Sequence, residues 1–175
     1  PSSDNNGLGV VDMKFDMEAT DGQHKEFENA AKAESYIQYG NGSSSVLRSK
    51  YDFVIYCIPP GTGTHWLAYA YINGFTSFYN DGWCRKVSVQ MHELGHNLGL
   101  AHSGEGDNEY DDQTGLMGYS YWQDNGPKMC FNSAKMFQLR WYSDQVQTIY
   151  PKSFNGSRKF TLNGVSDYGS NKNAL

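Results

Sequence analysis

Three of the five histidines in this 175-residue chain fall within eleven residues, HELGHNLGLAH, at positions 92–102. No other stretch constrains the fold as tightly. Val87, Met91, Leu94 and Leu98 recur at helical spacing as one narrow stripe, with His92, Glu93 and His96 on the opposite half. The pattern predicts a helix that packs its apolar side into the core and presents two imidazoles one turn apart on the other. Side chains four residues apart are neighbours on a helix surface, so His92 and His96 can reach a common point. His102 would be carried away along the axis if the helix ran on. Gly99 resolves this, because glycine accepts the left-handed conformation that ends a helix and lets the chain bend back.

Three imidazoles converging on one point make a metal cage. Zn2+ takes histidine nitrogen at about 2.0–2.1 Å, and three protein ligands leave a fourth position for water, the mark of a catalytic zinc site. Glu93 leaves the helix at a different angle, which suits a carboxylate reaching the water at the metal better than one competing for the metal. The expected ligands are His92, His96 and His102, with Glu93 as the general base.

The rest of the chain reads as one α+β domain, residues 1–175, built on a small mixed sheet. Residues 1–9 are polar and glycine-rich, and PSSDNN reads as the start of a processed or trimmed domain. VVDMKFDM (10–17) alternates enough for a first strand. Residues 21–40 read as a helix, with Phe27, Ala30, Ala31, Glu34 and Ile37 at helical spacing and Gly40 as the stop. NGSSS (41–45) is a loop, and YDFVIYCIPPG (51–61) suits a buried central strand. HWLAYAYING (65–74) alternates and ends in Asn73-Gly74, a hairpin signal, so FTSFYNDGW (75–83) is the returning strand. NSAKMFQLRWY (132–142) is helix-like.

Composition narrows the function. Charged residues are 19% of the chain and the net charge is -5, which argues against a nucleic-acid binder. No apolar run approaches the length of a membrane span. Cys57, Cys84 and Cys130 permit one disulfide and leave one thiol, with the pairing open. Two Asn-x-Ser sequons, at Asn41 and Asn155, tilt the balance towards secretion.

His-Glu-x-x-His-x-x-Gly-x-x-His followed by a methionine turn resembles the metzincin zinc endopeptidases. Met117, in GLMGYSYW and fifteen residues after His102, is the candidate turn methionine, which the resemblance makes an apolar floor beneath the metal. Ser103 is more like the matrixins than the adamalysins, which usually carry Asp there. WLAYAYING is similar to the matrixin edge strand, and Tyr119, two after Met117, resembles the astacins and serralysins. Over its whole length the likeness is to the gametolysin (autolysin) family of secreted metalloproteases. It runs from about Tyr51 to Tyr142 and includes EYDD, LMGYS and FNSAKMFQL. Some members of that family carry Gln at the first ligand position; His92 makes the site complete here.

The resemblance implies a zincin-like fold with an antiparallel edge strand, an active-site helix and a Met-turn. It implies a secreted, monomeric zinc endopeptidase acting on extracellular matrix or cell-wall glycoproteins, with no nucleic-acid partner and no membrane insertion. Substrate would lie along Leu67, Ala68, Tyr69 and Ala70, with Tyr121 and Trp122 lining the pocket after the scissile bond. Tyr119 has three readings of equal weight: a hydrogen bond to the developing oxyanion, a zinc ligand, or core packing. The acidic stretch EGDNEYDD (105–112) has the carboxylate density of a Ca2+ site but not the fixed spacing, so a solvated loop is the favoured reading. His65 reads as a turn histidine before a substrate contact. The rival from another class is a non-catalytic zinc-binding adhesion domain, against which the intact Glu93 speaks.

Overall fold

The computed structural model describes residues 9–118, 129–150, 152 and 155–161. The chain forms two compact units, Pro1–Asn132 and Ser133–Leu175. The second holds a short helix, α4 (Ser133–Gln138), and a 3-10 turn at Ser143–Gln145.

In the first unit, α1 (His24–Tyr39) is followed by α2 (Ser44–Lys50), β1 (Val54–Ile58), β2 (Ala68–Ala70), β3 (Thr76–Asn80), a 3-10 turn at Asp81–Arg85 and α3 (Val87–Asn97). The alanine-rich run predicted as a helix forms α1 and ends at Gly40, whose N–H bonds to the Tyr36 carbonyl. Its buried face is Phe27, Glu28, Ala31 and Ser35. Ile37, expected on that face, is 66% exposed. The expected loop at residues 41–45 is shorter, because Ser44 and Ser45 already belong to α2.

The sheet is mixed, in the order β1-β3-β2. β2 and β3 pair antiparallel through a turn at Asn73-Gly74, where Asn73 has φ 58 and the Gly74 N–H bonds to the Tyr71 carbonyl. β1 joins β3 in parallel, with Val54 opposite Thr76. The central strand is therefore β3, all five of whose residues are buried, and not the apolar run around β1. β1 lies at one side of the sheet, and Ile55 and Cys57 face outward from it. A run of apolar residues marks burial on both faces, and β1 has it on one only. Cys57 closes a disulfide to Cys84 in the 3-10 turn, tying this strand to the approach to α3.

The expected first strand is not a strand. Residues 11–19 alternate half-buried and exposed at every step, and Met13, Phe15, Met17 and Ala19 pack on the core of Phe27, Ala31, Tyr56, Ile58 and Phe78. No ladder forms along them. The alternation in the sequence reports an extended chain laid on an apolar surface, which side chains alone can hold.

β2 separates two layers. Tyr69 packs with the α1 core, and its hydroxyl donates to the buried Glu28 carboxylate at 2.7 Å. Ala68 points to the other layer, against Tyr79, Cys84 and Val89. The turn after β2 is fastened to the end of α3. The Asn73 N–H bonds to the His96 carbonyl, and the Asn97 side chain donates to the carbonyls of Tyr71 and Thr76.

Candidate metal centre

α3 carries the histidine motif, and it is rotated about its axis relative to the expected packing. Its buried residues are Ser88, Val89, His92, Glu93, Gly95, His96 and Asn97. Val87 and Leu98, from the stripe predicted to enter the core, are 47% and 40% exposed. Met91 and Leu94 of the same stripe are half-buried, and the polar face turns inward because it has partners there that outweigh full burial of the stripe. Gly95 shows how close the approach is: a Cβ there would overlap the Met117 sulfur and lie 3.0 Å from the Phe131 ring. Met117 is fully buried against that bare stretch of helix, between His92 and His96 in sequence.

The helix ends as the glycine signal predicts. Gly99 has φ +95, its N–H bonds to the His96 carbonyl, and the Leu100 N–H bonds to the Gly95 carbonyl. The chain then returns His102 to the other two histidines. Ring centroids are 4.8 Å apart for His92 and His96, 5.3 Å for His92 and His102, and 4.7 Å for His96 and His102. One ligand atom from each lies within 4.8 Å of the others. All three predicted ligands are thus brought together.

Each ring is oriented through Nδ1. His92 Nδ1 is 2.6 Å from the Leu116 carbonyl, His96 Nδ1 is 2.8 Å from the Leu100 carbonyl, and His102 Nδ1 is 2.9 Å from Glu109 Oε2. Carbonyl and carboxylate oxygens only accept, so each Nδ1 carries a proton, and in the neutral ring this leaves the Nε2 lone pair to a metal. That tautomer is the one in which histidine binds a metal through Nε2, with its other nitrogen donating to an oxygen. Burial, opposed by the Leu116 hydrogen bond and helped by the other two imidazoles, lowers His92 to about 3, so this ring is neutral at ordinary pH. The donor set fits one zinc ion.

Glu93 is 3% exposed, and its Oε2 has no hydrogen-bond partner. Burial pushes its carboxyl up to about 8. A buried carboxylate without a partner is costly unless a charge or a proton donor sits beside it. Glu93 therefore fits a site that receives a cation and a water. Among the described residues the three histidines are the group of side chains able to hold a metal, and the carboxylates of residues 105–112 are not gathered into a second one.

Sequence reasoning missed the orienting groups. The Leu100 and Leu116 carbonyls carry no side-chain signal at all. Gly95 had one, since a glycine inside a helix costs about 1 kcal/mol and marks a close approach. Glu109 lay in the stretch read as solvated. Of the expected substrate contacts, Ala68, Tyr69 and Ala70 form β2, and the Leu67 carbonyl accepts from the Asn80 N–H. Tyr119, Tyr121 and Trp122 lie outside the described residues. His65 is exposed, 3.7 Å from Asp21 and apart from the histidine cluster.

Three oriented imidazoles, an unpartnered buried carboxylate next to the first of them and a helix that supplies both are the working parts of a metallopeptidase. Comparison with known proteins agrees with that class: residues 10–169 match the family described as Gametolysin peptidase M11. The chain belongs to this family. It is also similar to Autolysin of Chlamydomonas reinhardtii, with 34% identity over 94 residues, which is 50% of this chain and 14% of the length of that relative.

Proposed function

We propose that this protein is a secreted zinc endopeptidase of metzincin type, with one catalytic domain running through the chain and extracellular matrix or cell-wall proteins as its substrates. The observation that carries the reading is the convergence of His92, His96 and His102, one ligand atom of each within 4.8 Å of the others and each Nδ1 held by an oxygen. A zinc ion held by His92, His96 and His102 would supply a Lewis acid able to polarise a carbonyl and acidify a water. Glu93, buried beside the histidines with Oε2 unpartnered, would serve as the base that accepts a proton from the attacking water and returns it to the leaving amine. Met117 is the apolar floor, held against Gly95 with its carbonyl on the Ser103 N–H. The peptide lies extended along residues 67–71, where β2 has β3 on one side.

Secretion is supported by the Cys57–Cys84 disulfide, which an oxidising compartment favours, and by the exposed sequon at Asn41. No helix among the described residues is long and apolar enough to cross a membrane.

The test combines metal content with turnover. Purified protein should contain one zinc per chain and cleave casein or gelatin, and a chelator should abolish cleavage. Glu93→Gln should keep the zinc and lose about 10²–10⁴-fold in activity, the usual contribution of a positioned acid–base group. A zinc-loaded wild-type protein that cleaves nothing would favour the adhesion-domain reading. Unchanged turnover in Glu93→Gln would remove Glu93 from the mechanism.

A further inference from the structure

The third ligand is built differently from the other two. His92 and His96 are buried and donate to backbone carbonyls, whereas the half-buried His102 donates to a side chain, Glu109, that is 70% exposed. The loop carrying Glu109 is folded back to make that contact. Glu105 and Asn108 form an isolated antiparallel bridge, and Gly106 has φ +58 at the bend between them. Gly104 allows the fold-back, since a Cβ there would stand 2.5 Å from the Asn108 carbonyl oxygen and 2.9 Å from the Glu109 Cα. The Tyr110 ring lies on His102 with centroids 4.0 Å apart. Asp112 anchors the far end, with its N–H on the Ser103 carbonyl and its carboxylate accepting from Thr114 and Asn132.

We propose that Glu109 is the positioning residue of the third metal ligand and that the acidic loop at residues 105–112 exists to deliver it. The proposal rests on the reading of His92, His96 and His102 as a metal centre. The carboxylate holds the proton on Nδ1, turns Nε2 to the metal and adds negative charge that strengthens Nε2 as a donor. Tyr110 stops the ring from rotating out of that plane. The carboxylate density that suggested a Ca2+ loop is thereby explained in part: Glu109 and Asp112 are both engaged with the site's own framework. Because its orienting partner is an exposed side chain, His102 is the ligand whose grip sequence changes can adjust.

The test measures zinc affinity by competition with a chromophoric chelator, and the visible spectrum of the Co2+-substituted protein. Glu109→Ala should weaken zinc binding about 10–100-fold, the usual effect of removing such a partner, and change the Co2+ bands. Glu109→Gln keeps an acceptor oxygen without the charge and should recover part of the loss. Asp107→Asn removes a neighbouring loop charge and should change affinity less than about 2-fold, because an exposed charge without contact is screened. Wild-type affinity and spectrum in Glu109→Ala would overturn the proposal. So would an equal loss in Asp107→Asn, which would assign the effect to the field of the loop. If the wild-type protein itself binds no zinc, the metal-centre reading fails instead, and the two failures are separated.

Discussion

Gly95 sits inside α3, where helix propensity and packing make opposite demands. Propensity alone favours alanine there by about 0.8–1.0 kcal/mol. Against this, an added Cβ would overlap the Met117 sulfur and press on Phe131 at 3.0 Å. Met117 is fully buried, so its sulfur has no open space to move into. Forcing a methyl group into a packed core costs about 1–3 kcal/mol, which exceeds the gain in propensity. Gly95→Ala should therefore destabilise the metal-free protein by about 1 kcal/mol, which for a chain of this size lowers Tm by about 2–4 °C. The assay is urea and thermal unfolding of Gly95→Ala, Met117→Ala and the double variant. With Met117 truncated the larger obstacle is gone and only the 3.0 Å approach to Phe131 remains, so Gly95→Ala should become close to neutral. The two changes should couple by at least about 1 kcal/mol. A Gly95→Ala protein more stable than wild type, or strict additivity in the double variant, would refute the argument that Met117 lies against the bare helix.

Two further predictions concern the pH dependence and the cysteines. Glu93 is raised from 4.5 to about 8 in the folded, metal-free chain, so its own contribution to stability falls as pH rises between those values; His92 opposes it up to 6.5, so the net fall should lie between pH 6.5 and 8, where Glu93→Gln should flatten it. His92 is lowered from 6.5 to about 3, so its contribution falls as pH drops below 6.5, offset by Glu93 down to 4.5 and showing as a net loss below that; urea unfolding across pH 3–9 checks both, and an identical profile in Glu93→Gln would count against the buried carboxylate. A thiol reagent should label one cysteine in the native protein, Cys130, and opening the Cys57–Cys84 bridge across its 27-residue separation should cost about 3–4 kcal/mol; labelling of two or three native thiols would exclude the bridge.

The centre was legible in the sequence because its spacing is local. His92 and His96 are one turn apart, and Gly99 has the left-handed backbone that its position after the helix demands. The β2–β3 hairpin was legible for the same reason, since Asn73-Gly74 encodes its own turn. What was misread depends on contacts distant in sequence. The stripe of Val87, Met91, Leu94 and Leu98 is a sound amphipathic pattern, yet the helix turns its polar half inward, because Met117, Phe131 and the Leu116 carbonyl meet it on that side. Likewise, alternation in residues 11–19 is real in the burial pattern, but pairing requires a partner strand that alternation does not specify. Glu109 was hidden because an acidic loop looks the same in sequence whether it faces water or a ligand.

The mixed origin of the orienting groups has an evolutionary consequence. Replacing Leu100 or Leu116 by another residue leaves its main-chain oxygen in place, so no single codon change can delete the partner of His92 or His96. The orientation of those two rings is insulated from drift as long as the chain path survives. Glu109 can be exchanged for any residue in one or a few nucleotide steps, so of the three oxygens that orient these rings it is the one a codon change can remove.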